Sequence, residues 1–118
     1  MSSPFRTRTY APVAPGDRPR KERAAVRVIV TDGISVLLFL DSDPGIPDSR
    51  WYVTPGGGID PGETHAQTAV RELEEETGLR VEASALVGPI MERVVLHGYS
   101  DQVCVQSESF YMVRTPRF

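Results

Sequence analysis

Four glutamates, Glu72, Glu74, Glu75 and Glu76, fall within five consecutive positions. Wound as a helix at about 100° per residue, Glu72, Glu75 and Glu76 share one arc, Ala66, Ala69, Val70, Leu73 and Thr77 take the adjoining one, and Glu74 points elsewhere. Such a helix works against itself. Like charges three or four residues apart cost roughly 0.2–0.5 kcal/mol a pair, and anions in a last turn oppose the helix dipole at roughly 0.3–1 kcal/mol each. Convergent carboxylates are, however, what a hard divalent cation with oxygen ligands requires, and coordination turns the repulsion into binding. The acids therefore predict a metal site, for Mg2+ first and Mn2+ as its substitute.

The neighbouring sequence supplies what such a site needs. Thr64 and Gln67 form a capping box, and Gly78 suits the left-handed residue that ends a helix, so the spacing predicts a helix over 65–77. Its apolar arc must lie on a sheet, leaving the carboxylates to face a cleft. Upstream, a short strand from Trp51 runs into Gly56-Gly57-Gly58, where the backbone can approach a ligand closely. Segments 24–31 and 34–40 read as strands joined by a two-residue turn at Asp32-Gly33. Only Arg27 interrupts the first apolar run, which predicts a strand buried on both faces. Segment 41–50, with Pro44, Gly45 and Pro47, is expected to be a solvated loop without metal. Further strands are expected over 80–87 and 90–96, broken at Gly88-Pro89, and over 102–113 after a turn at 97–101. A short edge strand is expected over 7–13. The result is an α/β domain.

Gly57, Glu63, Arg71, Glu72, Leu73, Glu75, Glu76, Gly78 and Leu79 occupy every specified position of G-x5-E-x7-R-E-U-x-E-E-x-G-U, where U is aliphatic. The stretch resembles the Nudix box, and Trp51, Pro55, Gly56 and Gly57 ahead of it also match the family pattern. That resemblance implies an α/β/α sandwich around a mixed sheet and Mg2+-dependent hydrolysis of the pyrophosphate linkage in a nucleoside diphosphate joined to another moiety. It implies that Glu72, Glu75 and Glu76 hold metal, with a main-chain carbonyl from Gly56 or Gly57. It implies that Arg71 orients a catalytic carboxylate and that Glu63 is metal-proximal or structural. The proton acceptor is left open among the glutamates and acids outside the box, with Asp101 and Glu108 as stand-ins for the latter. The family's C-terminal helix has no candidate before Phe118. Val94, Val95 and Leu96 stand where some members carry a Pro or Tyr substrate marker. A non-catalytic nucleotide-sensing module on the same fold is the competing reading.

The whole chain bounds these expectations. Its 118 residues, 40% hydrophobic and 25% charged, suit one small domain, expected over 23–118 behind a basic, proline-containing lead-in over 1–22. Residues 1–23 carry six positive and two acidic side chains, whereas 24–118 carry seven and fourteen, for a net charge of −3. An acidic body argues against dedicated nucleic-acid binding and leaves a small nucleotide as the expected partner, with a homodimer compatible. A single Cys104 excludes an internal disulfide, and the longest aliphatic or aromatic run, 36–40, is too short for a membrane span. A cytoplasmic setting follows as the default. His65, His97 and Cys104 lack metal or nucleophile spacing and carry no assigned chemistry.

Overall fold

The structure, a computed structural model, describes residues 11–117. Its elements are β1 (Arg20–Thr31), β2 (Phe39–Asp41), β3 (Trp51–Val53), β4 (Gly56–Gly58), α1 (His65–Thr77), β5 (Val87–Gly98) and β6 (Val103–Arg114). Four strands form a sheet in the order β4-β1-β6-β5, and β2 and β3 form a separate antiparallel pair. β1 and β6 run parallel while the other ladders are antiparallel, so the main sheet is mixed, as expected.

α1 has the bounds read from the sequence. The Thr64 hydroxyl accepts from the Gln67 amide at 3.1 Å, the Gln67 side chain accepts from the Thr64 amide at 2.9 Å, and Gly78 ends the helix at φ 75°. Such capping stabilises a helix by about 1 kcal/mol. The apolar arc packs Ala69 and Leu73 against Val26, Val28, Val30 and Val113, all buried, forming the core between α1 and one sheet face.

Burial on both faces of β1 is corrected by its alternation: Val26, Val28 and Val30 are buried beneath α1, but Arg27 and Ile29 are only half-buried. α1 is the only α-helix among the described residues, and the opposite sheet face carries Arg27, Arg93, Gln106 and Glu108. Asp32-Gly33 does turn the chain, but as a four-residue loop: Asp32 Oδ1 accepts from the amides of Ile34 and Ser35, and Thr31 pairs with Val36. The return arm then leaves β1 to pair as β2 with β3, because β4 occupies the next stretch of that edge at Ala25–Arg27.

The strand expected over 80–87 is instead loop with a 3-10 turn at Ala83–Ala85, in which local bonds such as Ala85 N–H to Glu82 O (2.9 Å) replace a ladder. Gly88-Pro89 does not divide two strands either. β5 runs through it as an irregularity, with Val87 paired to Met112 and Met91 to Phe110. Within the 41–50 loop Asp43 is buried, accepting from the Ser100 amide at 2.7 Å and hydroxyl at 2.8 Å, so one of its acids is an anchor and not solvated. The strand expected over 7–13 lies mostly outside the described residues; residues 11–13 are not strand, and Val13 donates to Ser100 O.

Candidate active site

Two glycines of β4 determine how closely α1 approaches the sheet. A Cβ on Gly56 would stand 2.1 Å from Val26 O, and one on Gly57 would stand 2.6 Å from the Glu72 carboxyl. The first is a backbone clash that only glycine avoids, and the second would push the Glu72 carboxyl out of its place against the strand. Gly56 also has φ 149°, a region that strongly favours glycine.

Against this glycine edge Glu72, with a side chain 5% exposed, accepts from Arg71 Nη1 at 2.8 Å. Glu76 is hydrogen-bonded to Glu72, and its Oε1 accepts from the Gly56 amide at 3.3 Å. Desolvation, followed by the hydrogen bond and charge of Glu72, pushes the Glu76 carboxyl up to about 8, against the opposing pull of the Gly56 amide and Arg27. The Glu76 carboxyl therefore keeps its proton near neutral pH, hydrogen-bonded to Glu72. Glu75 accepts from Arg71 Nη1 at 3.3 Å, and Glu74 turns away to Arg80 at 3.1 Å, as the helical arcs predict.

Arg71 ties the arrangement together. Its Nε and Nη2 donate to the two oxygens of Glu63 at 2.7 and 2.8 Å, Nη2 also reaches Gly58 O at 3.1 Å, and Asp60 stands 3.3 Å away. Glu63 further accepts from Thr68 Oγ1 and the Asp60 amide, both at 2.9 Å. The Arg71 hydrogen bond, with the help of those donors and against desolvation, pulls the Glu63 carboxyl down to about 2. Glu63 thus faces the arginine, whose Nη1 bonds Glu72 in turn.

Among the described residues no three His, Cys, Asp or Glu side chains stand as a ready cation cage. The donor chemistry nevertheless fits a hard cation. Glu76 holds a proton beside Glu72 where a divalent charge would relieve the same repulsion, and Glu75 lies on the same arc. At Gly56 the backbone group that meets these acids is the amide N–H.

A second polar cluster lies on the sheet face opposite α1. Glu108, 2% exposed, accepts from Arg27 Nε at 3.0 Å, Arg93 Nε at 2.6 Å and Gln106 Nε2 at 2.6 Å. Burial works to raise this carboxyl, but the hydrogen bonds from Arg93, Arg27 and Gln106 together hold it below the usual carboxylate range. In the sequence Arg27 reads only as an interruption of an apolar run, and nothing marks Arg93. Period-2 spacing of Gln106, Glu108 and Phe110 was the available signal, but only the strand register brings Arg93 opposite Glu108. His65 meets Tyr111 at the helix start, and His97 stacks on Tyr99.

A family model described as the NUDIX domain matches residues 21–115. The nucleoside triphosphatase NudI of Enterobacter sp. is 30% identical over 96 residues, covering 80% of this chain and 67% of that protein. The human diphosphoinositol polyphosphate phosphohydrolase 3-alpha is 38% identical over 85 residues, covering 72% of this chain and 47% of that one, so the chain spans about half of this second relative. Among solved structures, the E. coli dihydroneopterin triphosphate pyrophosphohydrolase superposes with a TM-score of 0.64 at 22% identity over 86% of this chain and 73% of that one. A C. elegans Ap4A hydrolase gives 0.54 at 18% identity over 80% and 70%. At those identities the structural likeness speaks for the fold.

Proposed function

The chain belongs to the Nudix hydrolase family, and from that membership we propose that it cleaves the pyrophosphate linkage of a nucleoside diphosphate joined to another moiety, with Mg2+ as cofactor held by Glu72, Glu75 and Glu76. The observation that carries this reading is the Glu72–Glu76 pair, seated against Gly56 and Gly57 and oriented by Arg71. Mg2+ bound there would neutralise phosphate charge and lower the pKa of water, the two needs of attack on a phosphoanhydride. The protein supplies the rest. Arg71 positions the Glu72 and Glu75 carboxylates by donating to both, and Glu63 keeps that arginine in place. One of the site's glutamates, or an acid outside the box, accepts the proton of the attacking water.

The named relatives act on triphosphates or polyphosphates, which supports the phosphoanhydride class. A cytoplasmic setting and a possible homodimer, both compatible with the chain, belong to the same proposal; among the described residues no helix is long and apolar enough to cross a membrane. The test is turnover of nucleoside triphosphates, ADP-ribose, dinucleoside polyphosphates and nucleotide sugars with Mg2+, repeated with Glu75→Gln and Glu76→Gln. At least one substrate should be hydrolysed and both variants should be strongly impaired. Undiminished turnover in both would refute the assignment, and nucleotide binding without turnover or Mg2+ dependence would indicate a sensing module.

A further inference from the structure

On the sheet face opposite α1, Arg23 and Arg27 of β1, Gln106, Glu108 and Phe110 of β6, and Arg93 of β5 are register neighbours: Arg23 pairs with Gln106, Arg27 with Phe110, and Arg93 with Glu108. Two guanidinium groups, those of Arg27 and Arg93, thus share one buried carboxylate, leaving a local formal charge of +1 in a body that is otherwise acidic. A purely structural ion pair needs one cation for one anion. The surplus positive charge asks for another negative partner.

The geometry shows where it would bind. Glu108 engages both Arg27 and Arg93 through their Nε edges, and Phe110 lies under the Arg93 guanidinium, 5.1 Å from ring centroid to Cζ. The Arg93 side chain is held on two sides yet is 51% exposed, and among the described residues its terminal Nη groups have no protein partner. A fixed, outward-facing guanidinium fork matches phosphate oxygens, and its orienting carboxylate reduces the entropy lost on binding. The cluster also adjoins the carboxylates of α1. Arg27 donates to Thr54 O at 3.3 Å and pairs in register with Gly56, whose amide bonds to Glu76.

We infer that Arg93, fixed by Glu108 and Phe110 beside Arg27, is a binding site for a phosphate on the part of the substrate remote from the cleaved bond. Resting on the hydrolase reading above, this places substrates with a charged phosphate in the second moiety ahead of those with a neutral sugar there. Arg93 acts by binding and positioning and takes no part in bond cleavage.

The test uses the whole chain and two readouts. Inorganic triphosphate is titrated calorimetrically in the presence of a chelator, so that neither Mg2+ nor turnover is involved. Loss of a charge-assisted fork should weaken binding about tenfold or more in Arg93→Ala, with Arg93→Lys between the two. In parallel, with Mg2+, the ratio of kcat/KM for ATP over ADP-ribose should fall about tenfold in Arg93→Ala, through KM and not kcat. Thermal melting of each variant checks that it is folded. Triphosphate binding within twofold of wild type in folded Arg93→Ala, or an equal loss on both nucleotides, overturns the inference. Should wild type hydrolyse none of the four substrate classes above, the hydrolase reading fails while the calorimetric arm still decides the anion site.

Discussion

Replacing Arg71 by Gln should expose how much of the site is held by one side chain. The guanidinium bonds Glu63 through two nitrogens, Glu72 at 2.8 Å and Gly58 O at 3.1 Å, and it is 22% exposed beside carboxylates exposed by 18% and 5%. An exposed ion pair contributes about 0.2–1 kcal/mol, and breaking a fully buried one costs about 3–5 kcal/mol. A half-buried hub with several partners falls between, at about 2–4 kcal/mol, or roughly 8–16 °C in Tm for a domain of this length.

The pH dependence provides an internal control on that figure. Glu63 sits near 2 in the folded chain, below its ordinary 4.5, so its contribution is complete above about 4.5 and disappears as pH falls through about 2. That shift corresponds to roughly 3 kcal/mol at most, reduced by solvent screening to about 1–2 kcal/mol. The gap in Tm between wild type and Arg71→Gln should therefore be widest from about pH 5 to 7 and narrow below about 4.5. Thermal denaturation by circular dichroism across this range makes the measurement. A loss below about 1 kcal/mol at pH 7, or a gap that widens as pH falls, would show that Arg71 does not hold the site in the manner described.

Two further outcomes follow from the same contacts. Gly57→Ala places a methyl 2.6 Å from the Glu72 carboxyl, and the displacement should lower Mg2+-dependent turnover by about 100-fold, measured as kcat/KM on the best substrate found. Glu76 has a folded value raised to about 8, so the folded state holds a proton that the unfolded state releases, and stability without metal should fall as pH rises from about 4.5 through 8. Glu76→Gln should flatten that decline in denaturant titrations. Because the proton competes with the cation, wild-type Mg2+ affinity by calorimetry should rise over the same upper range, and a pH-independent affinity would contradict a proton held on Glu76.

α1 was legible because its determinants are local. Thr64 and Gln67 cap each other, Gly78 ends the last turn, and the arcs separating Leu73 from Glu72, Glu75 and Glu76 follow from helical geometry alone. The strand boundaries were harder to read, because an apolar run such as 34–40 does not reveal which edge will accept it. β4 took the edge of β1, and β2 turned to β3. At 80–87 the residues Val81 and Leu86 pack on the core from a loop, so apolar content there did not require a ladder.

The sequence by itself determined the glutamate arc, the glycine-rich approach to it and the helix that connects them, since each depends on residues within one or two turns of one another. The tertiary structure alone decided that Gly57 yields its side-chain volume to Glu72, that Glu63 is the counter-ion of Arg71, and that Arg27, Arg93 and Glu108 converge from three strands. Arg27 and Glu108 are 81 positions apart. Their meeting depends on the parallel register of β1 and β6, where a shift of one residue would turn each side chain to the opposite sheet face.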